Sequence, residues 1–121
     1  MIALPSSVRV HLAADPIDLR RGHDGLVALV RNTWKLDPYE GNLFVFLGRR
    51  CDRVKVLFWD RNGFVVYYKR LSQGRFRLPK IPEGALRVEV DGTALAMLLD
   101  GIDVRHVARP LAWSPPRAEV A

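Results

Sequence analysis

Apolar and polar residues alternate through Val8-Arg-Val-His-Leu12, the period of two expected of a half-buried strand. Asp15-Pro16 ends the run, since proline cannot donate to a strand ladder. Leu26, Val27, Leu29, Val30 and Trp34 then recur at helical spacing behind Asp24, a residue suited to cap a first turn. Asp37-Pro38 closes that pattern because the residue before proline avoids helical angles, so an amphipathic helix is predicted over residues 24–35. Three runs rich in β-branched and aromatic residues follow: Leu43-Phe-Val-Phe-Leu47, Val54-Lys-Val-Leu-Phe-Trp59 and Phe64-Val-Val-Tyr-Tyr-Lys-Arg-Leu71. Between the last two, Asn62-Gly63 has the chemistry of a two-residue type I′ turn, which sets Trp59 opposite Val66, Leu57 opposite Tyr68 and Lys55 opposite Arg70. One face of this meander then carries Lys55, Leu57, Trp59, Val66, Tyr68 and Arg70. The other carries Val54, Val56, Phe58, Val65, Tyr67, Lys69 and Leu71, and its more apolar character marks it as the expected core face.

Leu86-Arg-Val-Glu-Val90 alternates again and is closed by Asp91-Gly92, after which Thr93 is expected to cap a short helix, Ala94 to Leu99, ended by Gly101. That helix is apolar nearly all round, so it is either buried or docks on a partner through Leu95, Met97, Leu98 and Leu99. The predicted fold class is α+β. A small single domain, residues 1–109, holds a mainly antiparallel sheet, a central three-strand meander plus flanking strands, and two short helices. A flexible proline-rich tail is expected over residues 110–121.

Composition sets the outer limits. With 121 residues, 49% of them hydrophobic and 26% charged, the chain has the make-up of one globular domain. The longest uncharged runs, such as Gly41 to Gly48, are far shorter than the roughly 20 apolar residues of a membrane span, so no membrane partner is expected. The first residues lack a secretory pattern and the lone Cys51 has no internal disulfide partner, which favours a cytoplasmic setting. The formal charge is +6, and it is unevenly distributed: nine basic residues against two acidic ones lie between Arg49 and Arg77, a segment charge of +7, while the other 92 residues sum to −1. Fifteen of the nineteen basic residues are arginine, whose planar fork matches phosphate and guanine edges better than a lysine point charge. The candidate phosphate contacts are Arg49, Arg50, Arg53, Lys55, Arg61, Lys69, Arg70, Arg75 and Arg77, with Trp59 or Tyr68 placed to stack on bases.

Catalytic patterns are thin. No phosphate-cradling loop is present, Gly22-His-Asp-Gly25 being too short and without the lysine. Cys51 has no histidine beside it in sequence, and His23 has no second ligand at metal spacing. The strand or strand-end acids Asp60, Glu89 and Asp91 could in principle converge on two cations as in a nuclease, but three scattered acids among thirteen are a weak signal, and both aspartates occupy ordinary turn positions. No catalytic residue, metal or cofactor is expected.

Several segments taken together resemble one family: Asp18-Leu-Arg-Arg-Gly-His-Asp-Gly-Leu26, Leu43-Phe-Val-Phe46 with Gly48-Arg-Arg50, Lys55-Val-Leu-Phe-Trp-Asp-Arg-Asn-Gly63, Tyr67-Tyr-Lys-Arg-Leu71 with Gly74-Arg-Phe76, and Leu95-Ala-Met-Leu-Leu-Asp-Gly-Ile-Asp103. The combination is similar to the small TnpB-type accessory protein, the second reading frame, of the IS66 family of bacterial insertion sequences, and it covers about residues 8–103 in order. Cys51, in a loop usually basic or small in that family, and the tail after Arg109 depart from the pattern. The resemblance implies a protein encoded beside a larger transposase and needed for efficient transposition, with no catalytic residues of its own. Two functional readings follow. In one, the arginine-rich meander binds DNA at the element ends and assists the transposase; in the other, the protein docks on the transposase without touching DNA.

Overall fold

The computed structural model describes residues 7–101, so the expected end of the domain at residue 109 and the expected tail over residues 110–121 lie outside the described residues. Five strands, β1 (Val10–Ala13), β2 (Leu43–Leu47), β3 (Arg53–Asp60), β4 (Gly63–Arg70) and β5 (Arg87–Val90), form one sheet in the order β4-β3-β2-β1-β5. Strands β1 and β2 are parallel and every other pair is antiparallel, so the fold is α+β with a mostly antiparallel sheet. The meander β2-β3-β4 makes up one side of that sheet, and β4 is its edge.

The crossover between β1 and β2 carries helix α1 (His23–Ala28), which continues as a π-helical turn over Leu29–Thr33. Leu26, Val30 and Trp34 stand four apart and are all buried, facing Phe44, Phe46 and Leu57 on one side of the sheet. The expected cap at Asp24 is not made: Gly22 is the N-cap and no side chain caps it. Lys35, in the left-handed region at φ 57°, turns the chain away before the proline is reached.

Helix α2 (Gly92–Leu99) covers the opposite side of the sheet. Its cap is Asp91 rather than Thr93, because the Asp91 carboxylate accepts the Ala94 N–H at 2.7 Å. Gly101, at φ 78°, ends it as expected, its N–H donating to the Leu98 carbonyl. Leu95, Leu98 and Leu99 pack with Val10, Leu12, Val45, Val54 and Val56 into a second core. Core therefore forms on both sides of β2 and β3, not on the Val54 face alone, while the edge strand β4 keeps Val65, Tyr67 and Tyr68 exposed.

The two-residue loop of the β3–β4 hairpin falls one residue earlier than the Asn-Gly pair implies. Asp60 pairs with Gly63, so Arg61 and Asn62 are the loop residues and Arg61 alone takes positive φ, at 43°. The register moves by two residues, which preserves which side chains share a face, and it brings Trp59 directly opposite Phe64 with ring centroids 5.0 Å apart. Tyr39 closes on both rings at 4.9 and 5.1 Å. A three-ring cluster at the hairpin thus prevails over the turn preference of Asn-Gly. Among the described residues no helix is long and apolar enough to cross a membrane.

Candidate nucleic-acid interface

The strand directions gather one end of the sheet. The C-terminal ends of β1, β2 and β4 and the N-terminal end of β3 lie together, so the β1–α1 loop, the β2–β3 loop and the segment after β4 share a surface. Backbone hydrogen bonds pin them to one another. Ile17 N–H donates to the Leu47 carbonyl at 3.0 Å, Leu71 N–H to Asp52 at 2.7 Å, and Phe76 N–H to Cys51 at 2.6 Å. Cys51 itself turns in the left-handed region, at φ 56°, and its thiol is free and half-buried. Leu19 packs closely over Gly48, where a Cβ would meet its side chain at 3.3 Å.

Arginines project from each of these segments. Arg49 and Arg50 are exposed in the β2–β3 loop, and Arg75 and Arg77 are exposed on either side of Phe76, whose ring is buried in the core. Arg53 and Arg70 sit directly opposite each other on neighbouring strands, on the face that also carries Lys55 and Tyr68. The Lys55 ammonium donates to the Arg21 carbonyl at 2.9 Å and lies 5.1 Å from the centre of the Tyr68 ring, tying the β1–α1 loop to β3. Arg53 Nε is buried and has no hydrogen-bond partner among the described residues.

Three candidates fall elsewhere. Arg61 and Trp59 are at the hairpin end, eight and six residues along the chain from Arg53, about 20 Å or more across the extended strand. There Trp59 is packed with Tyr39 and Phe64 rather than presented for stacking on bases. Lys69 points to the other face, where its ammonium binds the Leu99 carbonyl at 2.6 Å at the C-terminal end of α2. The expected docking helix is also corrected: Leu95, Leu98 and Leu99 are 3%, 3% and 7% exposed inside the chain's own core, and only Met97 of the four is part-exposed.

Arg20 and Arg21, in the loop before α1, belong to the basic end, although sequence reasoning did not select them. The signal was present as a consecutive pair beside Asp18, but only the parallel crossover carries that loop to the meander. Arg20 grips Asp18 through both carboxylate oxygens, the shortest contact being 2.6 Å, and this hydrogen bonding pulls the Asp18 carboxyl down to about 2. A cleft of about 670 Å³ opens between residues 16–20, Gly48 to Arg50, Asp52, Arg53 and Tyr68.

The acids Asp60, Glu89 and Asp91 do not converge. Asp60 ends β3, while Glu89 and Asp91 belong to the far edge at β5, three strand spacings or about 14 Å away. No group of three metal-ligating side chains occurs among the described residues. Glu89 instead meets Arg9 at 3.5 Å and approaches the buried His11 at 3.9 Å. The His11 ring stacks on Phe44, and its Nδ1 lies 3.0 Å from the Arg87 guanidinium. Burial and that cation both lower its pKa, so the ring is held neutral and Nδ1 accepts from Arg87.

No solved structure matches the chain. Two proteins of Sinorhizobium fredii (strain NBRC 101917 / NGR234) are similar to it over nearly their whole lengths. The uncharacterised protein y4jC is 38% identical over 117 residues, spanning 97% of this chain and 98% of its own. The uncharacterised protein y4hO is 40% identical over 116 residues, spanning 94% and 97%. The family model of the IS66 Orf2-like proteins matches residues 8–109, and the chain accordingly belongs to that insertion-sequence family.

Proposed function

We propose that this protein is a non-catalytic accessory factor of transposition that binds the DNA of its insertion sequence through the arginine-rich end of the sheet and so assists the element's transposase. The observation that carries this reading is the Arg53–Arg70 pair. Like charges directly opposite on neighbouring strands destabilise a sheet, and here Lys55 adds a third cation to the same face. A polyanion lying across the strands turns that repulsion into attraction. Arg49, Arg50, Arg75 and Arg77 extend the positive surface from loops that backbone hydrogen bonds hold in place. Family membership supplies the setting, an insertion sequence.

Phosphate contacts of this kind make affinity fall with salt, with a slope of about −0.9 per phosphate neutralised on duplex DNA. Replacing Arg49 and Arg50 together by alanine is expected to weaken retention of terminal-repeat duplex in a gel-shift titration. The salt slope should flatten by about 2. Unchanged retention with an unchanged slope rejects the reading, and a shift seen only when transposase is added favours the rival in which the protein docks on the transposase alone.

A further inference from the structure

We infer that the cleft between the β1–α1 loop and the β2–β3 loop is a site for one unpaired nucleotide of a DNA strand, so that the protein prefers a DNA end with a short single-stranded overhang to a blunt one. This deepens the proposed function and rests on it. A duplex needs only an exposed, positively charged surface, and Arg49, Arg50, Arg75 and Arg77 already provide one. The cleft adds something a duplex does not use: a concave space of about 670 Å³, within the roughly 300–1,000 Å³ of small-ligand sites.

Its walls are matched to the two halves of a nucleotide. On the phosphate side are Arg49, Arg50 and Arg53, against which stands only Asp52, because Asp18 is already taken up by Arg20. Arg53 lines this wall, and its buried Nε has no partner among the described residues. For the base there is Tyr68, 51% exposed, which lines the cleft with the Lys55 ammonium 5.1 Å from the centre of its ring. A half-exposed ring braced by a cation, beside a set of arginines, is the arrangement that single-stranded nucleic acid uses: stacking for the base and guanidinium contacts for the backbone. In a paired strand the base is stacked on its neighbours and its face is out of reach of Tyr68.

The test is a fluorescence-anisotropy titration of the full-length protein with three DNAs of one sequence: a blunt duplex, the same duplex with a three-nucleotide overhang, and that overhang made abasic. The overhang is expected to bind roughly 5- to 100-fold more tightly than the blunt end. The abasic overhang, which keeps the phosphates and loses the bases, should fall back close to the blunt value. Tyr68→Ala should erase the overhang preference, and Tyr68→Phe should keep it; because the ring is half exposed, neither variant threatens the core. Equal affinity for blunt and overhanging DNA, or for normal and abasic overhangs, overturns the inference while leaving the proposed function standing. No affinity for any of the three overturns both.

Discussion

Arg70 is a residue at which stability and the proposed function pull in opposite directions. It faces Arg53 across the β3–β4 ladder, and relief of such like-charge pairs is worth a few tenths to about 1 kcal/mol. Arg70→Ala is therefore expected to raise the midpoint of thermal unfolding slightly and to lower DNA affinity, a combination that calorimetry and a binding titration on one preparation can check. His11 gives a second prediction at this scale. The groups around it are Arg87, Glu89, Arg9 and the Phe44 ring, and the balance of burial and cations lowers its folded-state pKa. The unfolded chain, with His11 near 6.5, then binds the extra proton more readily than the native one. Stability is accordingly full above about pH 6.5 and declines as pH falls below that, toward the folded-state value. Urea unfolding from pH 7.5 to 5 should show this decline, and His11→Gln, which cannot titrate, should reduce it.

At the level of elements, most of the architecture was legible in the alternation of apolar residues. Each strand lies where a period of two or a β-branched run predicts it, and α2 is buried as its all-round apolar surface implies. The misreadings have physical causes. Asn62-Gly63 announces a turn, but a local preference worth well under the packing of three aromatic rings does not set the register, and Trp59, Phe64 and Tyr39 do. The cap of α2 moved to Asp91 because a carboxylate two residues upstream reaches the Ala94 N–H. The parallel pairing of β1 with β2 was not visible in either strand alone, since pattern within a strand carries no direction. The value of α2 to the fold is measurable. Leu98→Ala, at a site 3% exposed between the helix and the sheet, is expected to cost about 2–5 kcal/mol in denaturant unfolding with little change in the charge of the basic end.

For the whole molecule, the decisive step is the conversion of a charge count into a place. Along the chain, +7 is confined to residues 49–77. In the fold, that segment divides: most of it meets Arg20 and Arg21 at one end of the sheet, Arg61 sits at the other end, and Lys69 turns to the opposite face to bind α2. Sequence distance could not reveal this, because Arg20 is remote from Arg53 along the chain and adjacent only through the crossover. The central claim, that position and not total charge governs binding, is tested most directly by comparing Arg61→Ala with Arg75→Ala, two exposed substitutions that each remove one positive charge. Duplex affinity measured across a salt series should be unchanged for Arg61→Ala, and for Arg75→Ala it should be weaker with a slope shallower by about 1. Equal losses in the two variants would contradict the account.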